Sequence, residues 1–302
     1  MSRTAAAAAV LGLSLVLGTA ACDVGPGDPA SARGGGQVAS ASGRSDANGG
    51  FGAYRGEVTA ADQFRPGLPV IVDEPTAGAP AAVVVLVPGG GWSSADPVGL
   101  APLARALARD GFSVVTITYG TSSTGEHYPV PADDVACGVA FAAQAHPGLP
   151  VVLVGHSAGA QLVALVGLVP HIGADPTCPA PPAEADAVVG LAGPYDIVQT
   201  GGVASALMGV DHADDPTLWD EADPLLQAGE RPQVPFLLVH GKADPVVPVV
   251  FTTDFGAALR AGGHDVTVDL LPGVDHSTVY RAGVVGDLVA DWITRTVVQP
   301  SG

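Results

Sequence analysis

The chain has 302 residues, and its 47% hydrophobic content is enough for one large α/β domain with a buried core. Thirty acidic residues against 12 basic ones give a formal charge of −18. That field repels nucleic-acid phosphates and no Lys/Arg cluster offsets it locally, so nucleic acid is excluded as a partner, while the acidity itself does not select a substrate.

In chain order, Met1-Ser-Arg supplies a positive charge, Thr4 to Gly18 is an Ala/Val/Leu run short for a transmembrane helix, and Thr19-Ala-Ala-Cys22 brings small residues up to a cysteine. Residues 1–21 therefore read as an export signal. Its end resembles the lipobox of bacterial lipoproteins, with Thr19 where leucine is more usual. That resemblance implies lipidation of Cys22, and plain secretion after cleavage near Ala21 is the alternative. Residues 22–50 are dominated by Gly, Ala, Ser, Pro and Asp, cannot bury enough surface to offset chain entropy, and read as a flexible tether. A membrane enters the reading only through this anchor.

A domain is expected over residues 51–299. Strands are predicted at Leu68–Asp73, Ala82–Val87, Phe112–Thr118, Val151–Gly155, Ala187–Ala192, Val234–His240 and Asp265–Leu271. Helices are predicted at Val98–Arg109, Ala132–Ala145, Ala160–Leu168, near Val249–Arg260 and over Val284–Thr296, with a short piece around Val203–Met208. Apolar strands alternating with amphipathic helices imply a mostly parallel sheet covered on both faces. The stretch Gly193–Gln233, rich in Asp, Gly and Pro, reads as a short cap-like insertion over the carboxyl edge, where such sheets place their ligands. Cys137 and Cys178 are an even pair in an exported chain, which favours a disulfide over two buried thiols. Neither has the spaced partners of a metal site.

The chemistry centres on Gly155-His-Ser-Ala-Gly159, a G-x-S-x-G pentapeptide between a predicted strand and a predicted helix. A serine hydroxyl needs an imidazole as base and a carboxylate to orient it. Asp244, in the loop after the strand ending at His240, and His276, in Leu270-Leu-Pro-Gly-Val-Asp-His-Ser277, follow Ser157 in the expected order and at the same sheet edge. Asp196 and Asp275 are weaker candidates for the acid. His156 and His240 read as structural, and His264 as a solvated turn residue. Gly90, Gly91 and Ala158 offer backbone N–H groups as oxyanion donors. Trp92 either packs under the glycine loop or lines a substrate pocket.

Over about residues 64–298 the chain resembles the α/β-hydrolase superfamily, in its esterase branch of hormone-sensitive-lipase-like, feruloyl-esterase-like and kynurenine-formamidase-like enzymes. The resemblance rests on Pro88-Gly-Gly-Gly-Trp92, Gly155-His-Ser-Ala-Gly159, His240 to Pro245 and Asp275-His-Ser277, with Pro88 where that branch carries histidine. It implies an α/β-hydrolase fold and cleavage of a small-molecule ester through an acyl-enzyme. Ser157, Asp244 and His276 would act as nucleophile, acid and base, with no metal or organic cofactor. Amide, formamide or lipid hydrolysis on the same triad, or a non-catalytic binding lipoprotein, are the alternatives.

Overall fold

Val83-Val-Val-Leu-Val87 is apolar at every position and buried at every position, which is what a central parallel strand covered on both faces demands. In the computed structural model, which describes residues 63–169 and 177–299, this strand lies within an eight-stranded sheet. The strands are β1 Gln63–Arg65, β2 Leu68–Asp73, β3 Val83–Val87, β4 Ser113–Ile117, β5 Val151–His156, β6 Ala187–Leu191, β7 Phe236–Gly241 and β8 Val266–Leu271. Their spatial order is β1-β2-β4-β3-β5-β6-β7-β8. From β4 to β8 every pairing is parallel, whereas β1 and β2 form an antiparallel margin. The α/β-hydrolase architecture is therefore present.

The helices are α1 Ala101–Arg109, α2 Val130–Ala145, α3 Ala158–Leu168, α4 Ser205–Met208, α5 Pro216–Glu221, α6 Val250–Ala261 and α7 Ala282–Ile293. Strand alternation divides the core between two layers of helix. Val83, Val85 and Val87 pack in one cluster with residues of α2, α3 and α6, while Val84 and Leu86 pack in another with α1 and α7. The expected disulfide joins Cys137 of α2 to Cys178, with Cα atoms 5.7 Å apart. Closing a loop of 41 residues stabilises the fold by about 3–4 kcal/mol on chain-entropy grounds.

Four local expectations are corrected. β1 was not foreseen, because three residues carry too little periodicity. The helix expected from Val98 opens instead as a 3-10 turn, Pro97–Leu100, under an Asp96 cap, and α1 follows it. The last helix begins at Ala282 and passes into a π-turn at Thr294–Val298 instead of continuing as α-helix to Thr296. Within Gly193–Gln233 a second helix, α5, starts at Pro216 behind Asp215, whose carboxylate accepts the Leu218 N–H. The signal, tether and Cys22 expected within residues 1–50 and the domain start at 51–62 lie outside the described residues. No helix among the described residues is long and apolar enough to cross a membrane.

Candidate active site

Parallel β5 ends at His156, and the chain must reverse at once into α3. Ser157 makes that reversal with φ 53° and ψ −121°, a conformation costly for a residue with a Cβ. Close packing holds it there. A Cβ on Gly159 would lie 2.4 Å from the Val87 carbonyl oxygen and 2.5 Å from that of Pro88, so only glycine lets α3 start directly against the end of β3.

The loops after β7 and β8 come together beside this elbow. Lys242 N–H donates to Leu271 O at 2.9 Å and Ala243 N–H to Val274 O at 3.0 Å, which joins the two loops by backbone alone. Asp244 and His276 then meet. His276 Nδ1 is 2.7 Å from Asp244 Oδ2, and His276 Nε2 is 2.9 Å from Ser157 Oγ. With a carboxylate on Nδ1, that nitrogen carries the proton and Nε2 is left to accept from the serine.

The Asp244 side chain is fully buried, and hydrogen-bond donors surround its carboxylate. Its Oδ1 accepts the N–H groups of Val246 and Val247 at 2.8 and 2.9 Å. Its Oδ2 also faces His240 Nε2 at 3.3 Å. That nitrogen lies 2.9 Å from the Val247 carbonyl, which can only accept, so Nε2 carries the His240 proton and Nδ1 accepts the Thr252 hydroxyl at 2.7 Å. Burial lowers the His240 pKa and keeps the ring neutral. His240 is thus a brace for the acid, in line with its structural reading.

The other acid candidates are engaged elsewhere. Asp275 turns into its own loop, where its Oδ1 accepts the hydroxyls of Thr278 and Ser277 and the Ser277 N–H. The Thr278 hydroxyl, then that of Ser277, holds its carboxyl below the usual range. The Asp196 carboxylate accepts both the backbone N–H and the side-chain amide of Gln199.

The glycine loop after β3 lies across the elbow. Gly90 has φ 137°, and a Cβ there would lie 2.2 Å from the Ser94 carbonyl oxygen, so glycine is obligatory. Gly91 and Trp92 follow with φ of 58° and 55°. Pro88 gives this loop no side-chain brace, and three other residues hold it instead. The buried Tyr119 hydroxyl donates to Pro88 O at 3.0 Å, and desolvation raises its pKa so that it stays protonated. Ser122 N–H donates to Trp92 O at 3.0 Å. Trp92 Nε1–H donates to Gln161 Oε1 at 3.0 Å, and Gln161 Nε2–H passes the connection to Ala222 O at 2.9 Å. Trp92 meets both of its alternatives: it is 2% exposed beneath the loop, and it also borders the cavity. Tyr119 and Gln161 were not singled out from sequence, yet a lone Gln in a helix apolar on all sides was the available signal.

Gly90, Gly91, Ser157, Ala158 and His276 all border one cavity of about 640 Å³. Pro194, Gln199, Thr200, Gly201 and Val203 bring the Gly193–Gln233 excursion to its wall. No group of three or more His, Cys, Asp or Glu side chains among the described residues is placed to hold a metal ion. His264, expected in solvent, is buried, with Nδ1 2.8 Å from Val234 O and its ring edge-on to Phe236. The Gly262–Gly263 turn folds it back onto the start of β7.

A second serine–histidine–carboxylate cluster lies at the amino edge, where Ser113 opens β4. Ser113 Oγ is 3.0 Å from both Glu74 Oε1 and His146 Nε2, and His146 Nε2 is 3.2 Å from the same Glu74 oxygen. Serine and carboxylate thus meet at the same imidazole nitrogen, and no hydrogen bond among the described residues holds the other. Ser113 is also fully buried and outside the cavity. This cluster satisfies a buried hydroxyl and has no relay geometry.

Residues 71–259 match the family model described as BD-FAE. The chain is 30% identical over 240 residues to Esterase LipQ of Mycobacterium tuberculosis (strain ATCC 25618 / H37Rv), covering 72% of this chain and 56% of that protein. It is 32% identical over 220 residues to Esterase LipC of the same organism, covering 65% and 53%. The chain thus spans about half the length of these curated relatives. Among solved structures, it is similar to a truncated carbohydrate esterase from gut microbiota, with TM-score 0.63, 20% identity and coverage of 75% of this chain and 89% of that one. Thermogutta terrifontis esterase Est2, with propionate bound, gives TM-score 0.63 and 20% identity over 78% of this chain and 92% of its own. These two likenesses concern the fold. The matched segment spans the glycine loop, Ser157 and Asp244, and His276 reaches them from beyond its end; the chain belongs to the BD-FAE family.

Proposed function

We propose that this protein is a carboxylesterase-type serine hydrolase, with Ser157 as nucleophile, His276 as general base and Asp244 as the carboxylate that orients it. The observation that carries this reading is the continuous path Asp244 Oδ2, His276 Nδ1, His276 Nε2, Ser157 Oγ, with contacts of 2.7 and 2.9 Å, opening into a cavity. That the relatives LipQ and LipC are esterases agrees with it.

His276 takes the Ser157 proton as Oγ attacks the ester carbonyl. Negative charge collects on the carbonyl oxygen, and the N–H groups of Gly90, Gly91 and Ala158 stabilise it; removing one such donor costs about 3–4 kcal/mol. His276 then protonates the leaving alkoxide. Water, activated by the same ring, frees the acid and restores Ser157.

The substrate class follows from the walls. Leu100, Val203, Val246, Val247, Phe251 and Tyr280 border the cavity, with Asp96 as the acid and no Lys or Arg among the lining residues. Val203 and Val246 are 59% and 64% exposed at its rim. A neutral, largely apolar ester fits this surface, and an ester bearing a carboxylate meets no countercharge. A fluorophosphonate probe and a panel of aryl esters of rising acyl length, one ester carrying a free carboxylate, and an anilide test both statements. Ser157 should be labelled and neutral esters cleaved, with the carboxylate ester and the anilide each slower by about tenfold or more. A folded protein that is not labelled and cleaves no ester ends the enzyme reading.

We also propose that the domain, residues 51–299, works outside the cytoplasm behind a signal at 1–21 and a tether at 22–50, with Cys22 lipidated. The Cys137–Cys178 disulfide supports export, since such bonds persist in oxidising compartments. Metabolic labelling with a fatty-acid analogue should mark the protein and be lost in Cys22→Ala; labelling unchanged by that substitution removes the anchor.

A further inference from the structure

We propose that His156, outside the serine–histidine–aspartate relay, is the positioning residue that fixes the base loop against the nucleophile elbow and the glycine loop. The inference rests on the catalytic reading of Ser157 and His276 given above.

His156 precedes Ser157 in the chain, so the strained elbow that sets the serine also sets this ring. Its Nε2 is 3.0 Å from the backbone carbonyl of His276. A carbonyl only accepts, so Nε2 carries the proton and donates, and the base is held through its own main chain. The same loop is gripped a second time. Tyr280, four residues on, lays its ring 4.4 Å from that of His156, and the His276 ring is 4.8 Å away on a similar tilt. On its other side His156 abuts the glycine loop, where a Cβ on Gly89 would lie 3.0 Å from His156 Nδ1 and 2.9 Å from Ser157 Cβ. One ring therefore touches the segments that carry the base, the nucleophile and the oxyanion donors.

The chemistry of imidazole suits this place. His276 becomes cationic each time it takes the Ser157 proton, and a second cation 4.8 Å away would oppose that step. Burial, with the neighbouring His276 charge second, lowers the His156 pKa to about 3, so its hydrogen bond is made without a charge. A lysine or arginine could donate the same bond only by placing a permanent positive charge beside the base.

A core-filling ring and a positioning donor differ in what they leave behind when replaced. His156→Gln keeps an N–H donor of similar reach, whereas His156→Met has nearly the same shape without one. On a short neutral aryl ester, His156→Met should lower kcat by about 10- to 100-fold, as expected for a base displaced by a fraction of an ångström, with KM within about threefold. His156→Gln should recover kcat to within about fivefold of wild type. The fluorophosphonate labelling rate of Ser157 should follow the same order. Equal kcat in the folded Gln and Met variants would falsify the proposal, because volume and not donation would then be what matters. If either fails to fold, the Asn and Leu pair makes the same comparison. A wild-type protein with no labelling and no ester turnover defeats the catalytic reading itself, which is a separate outcome.

Discussion

The two ends of the parallel strands each hold a serine, a histidine and a carboxylate within hydrogen-bond reach, and only one set is arranged to move a proton. At the carboxyl edge Asp244 and Ser157 occupy opposite nitrogens of His276. At the amino edge Glu74 and Ser113 crowd the same nitrogen of His146. Ser157 stands on a strained turn at a cavity, and Ser113 is an ordinary first residue of a strand, wholly buried. The difference teaches that residue types and distances do not make a relay. The lone nitrogen must face the nucleophile, the other must be held, and there must be room and donors for an oxyanion.

The sharpest way to break this comparison is to delete each hydroxyl. Ser157→Ala should reduce kcat by about 10⁴-fold or more and abolish fluorophosphonate labelling, with the fold retained. Ser113→Ala should leave kcat within about twofold while lowering stability by about 1 kcal/mol in urea unfolding, the worth of a buried hydrogen bond. A reversal of the two activities would move the active centre to the amino edge.

Neutralising each carboxylate comes next in size. Asp244→Asn presents an amide where His276 Nδ1 needs an acceptor, which favours the wrong tautomer and should cost about 10³- to 10⁴-fold in kcat. Glu74→Gln should change the same assay by less than about twofold. Steady-state kinetics on one aryl ester checks both, and a catalytic loss in the Gln variant with an active Asn variant overturns the assignment.

How far the sequence was legible follows the same division between the edges. Ser157, Asp244 and His276 could be read because each is announced locally, by an elbow motif or by a loop at a strand end, and the parallel fold brings strand ends together. The central strands were legible for a related reason: five or six consecutive apolar residues leave few alternatives to a covered strand. The amino-edge cluster was opaque. Ser113 is 39 residues from Glu74 and 33 from His146, and their meeting depends on β2 returning antiparallel beside β4, which no local pattern states. His264 failed similarly, since Gly262-Gly263 announces a turn but not that the turn is tucked under neighbouring chain. Asp215-Pro216 carries the signal of a helix start, but the polar composition of Gly193–Gln233 hides the buried Trp219 that the helix packs inward.

A third carboxyl sharpens the comparison from the functional edge itself, because it shows that position there does not confer a catalytic part. Asp223 is 1% exposed within the excursion. Its Oδ2 accepts the Ile197 N–H at 3.0 Å and its Oδ1 the Leu225 N–H at 2.8 Å, which ties the start of that segment to the turn at Asp223. Desolvation, then the charge of Asp196, raises its pKa from 3.8 to about 6, and the backbone donors only partly oppose this. A carboxyl that holds its proton more tightly when folded contributes stability that is fully present below the unfolded pKa. That contribution is lost as pH rises through the folded one, so the window here runs from about 4 to about 6. The size is on the order of 2–3 kcal/mol at most, from roughly 1.4 kcal/mol per pKa unit. Asp223→Asn does not titrate and keeps one acceptor. Its own stability should be lower by about 1–2 kcal/mol near pH 4, since one N–H loses its partner. The deficit should then shrink between pH 4 and pH 6.5, because only the wild type pays for ionising the buried acid over that range. Urea midpoints of the two proteins across the range give the double difference directly, and a gap that is constant or widens with pH means that Asp223 enters the fold already ionised.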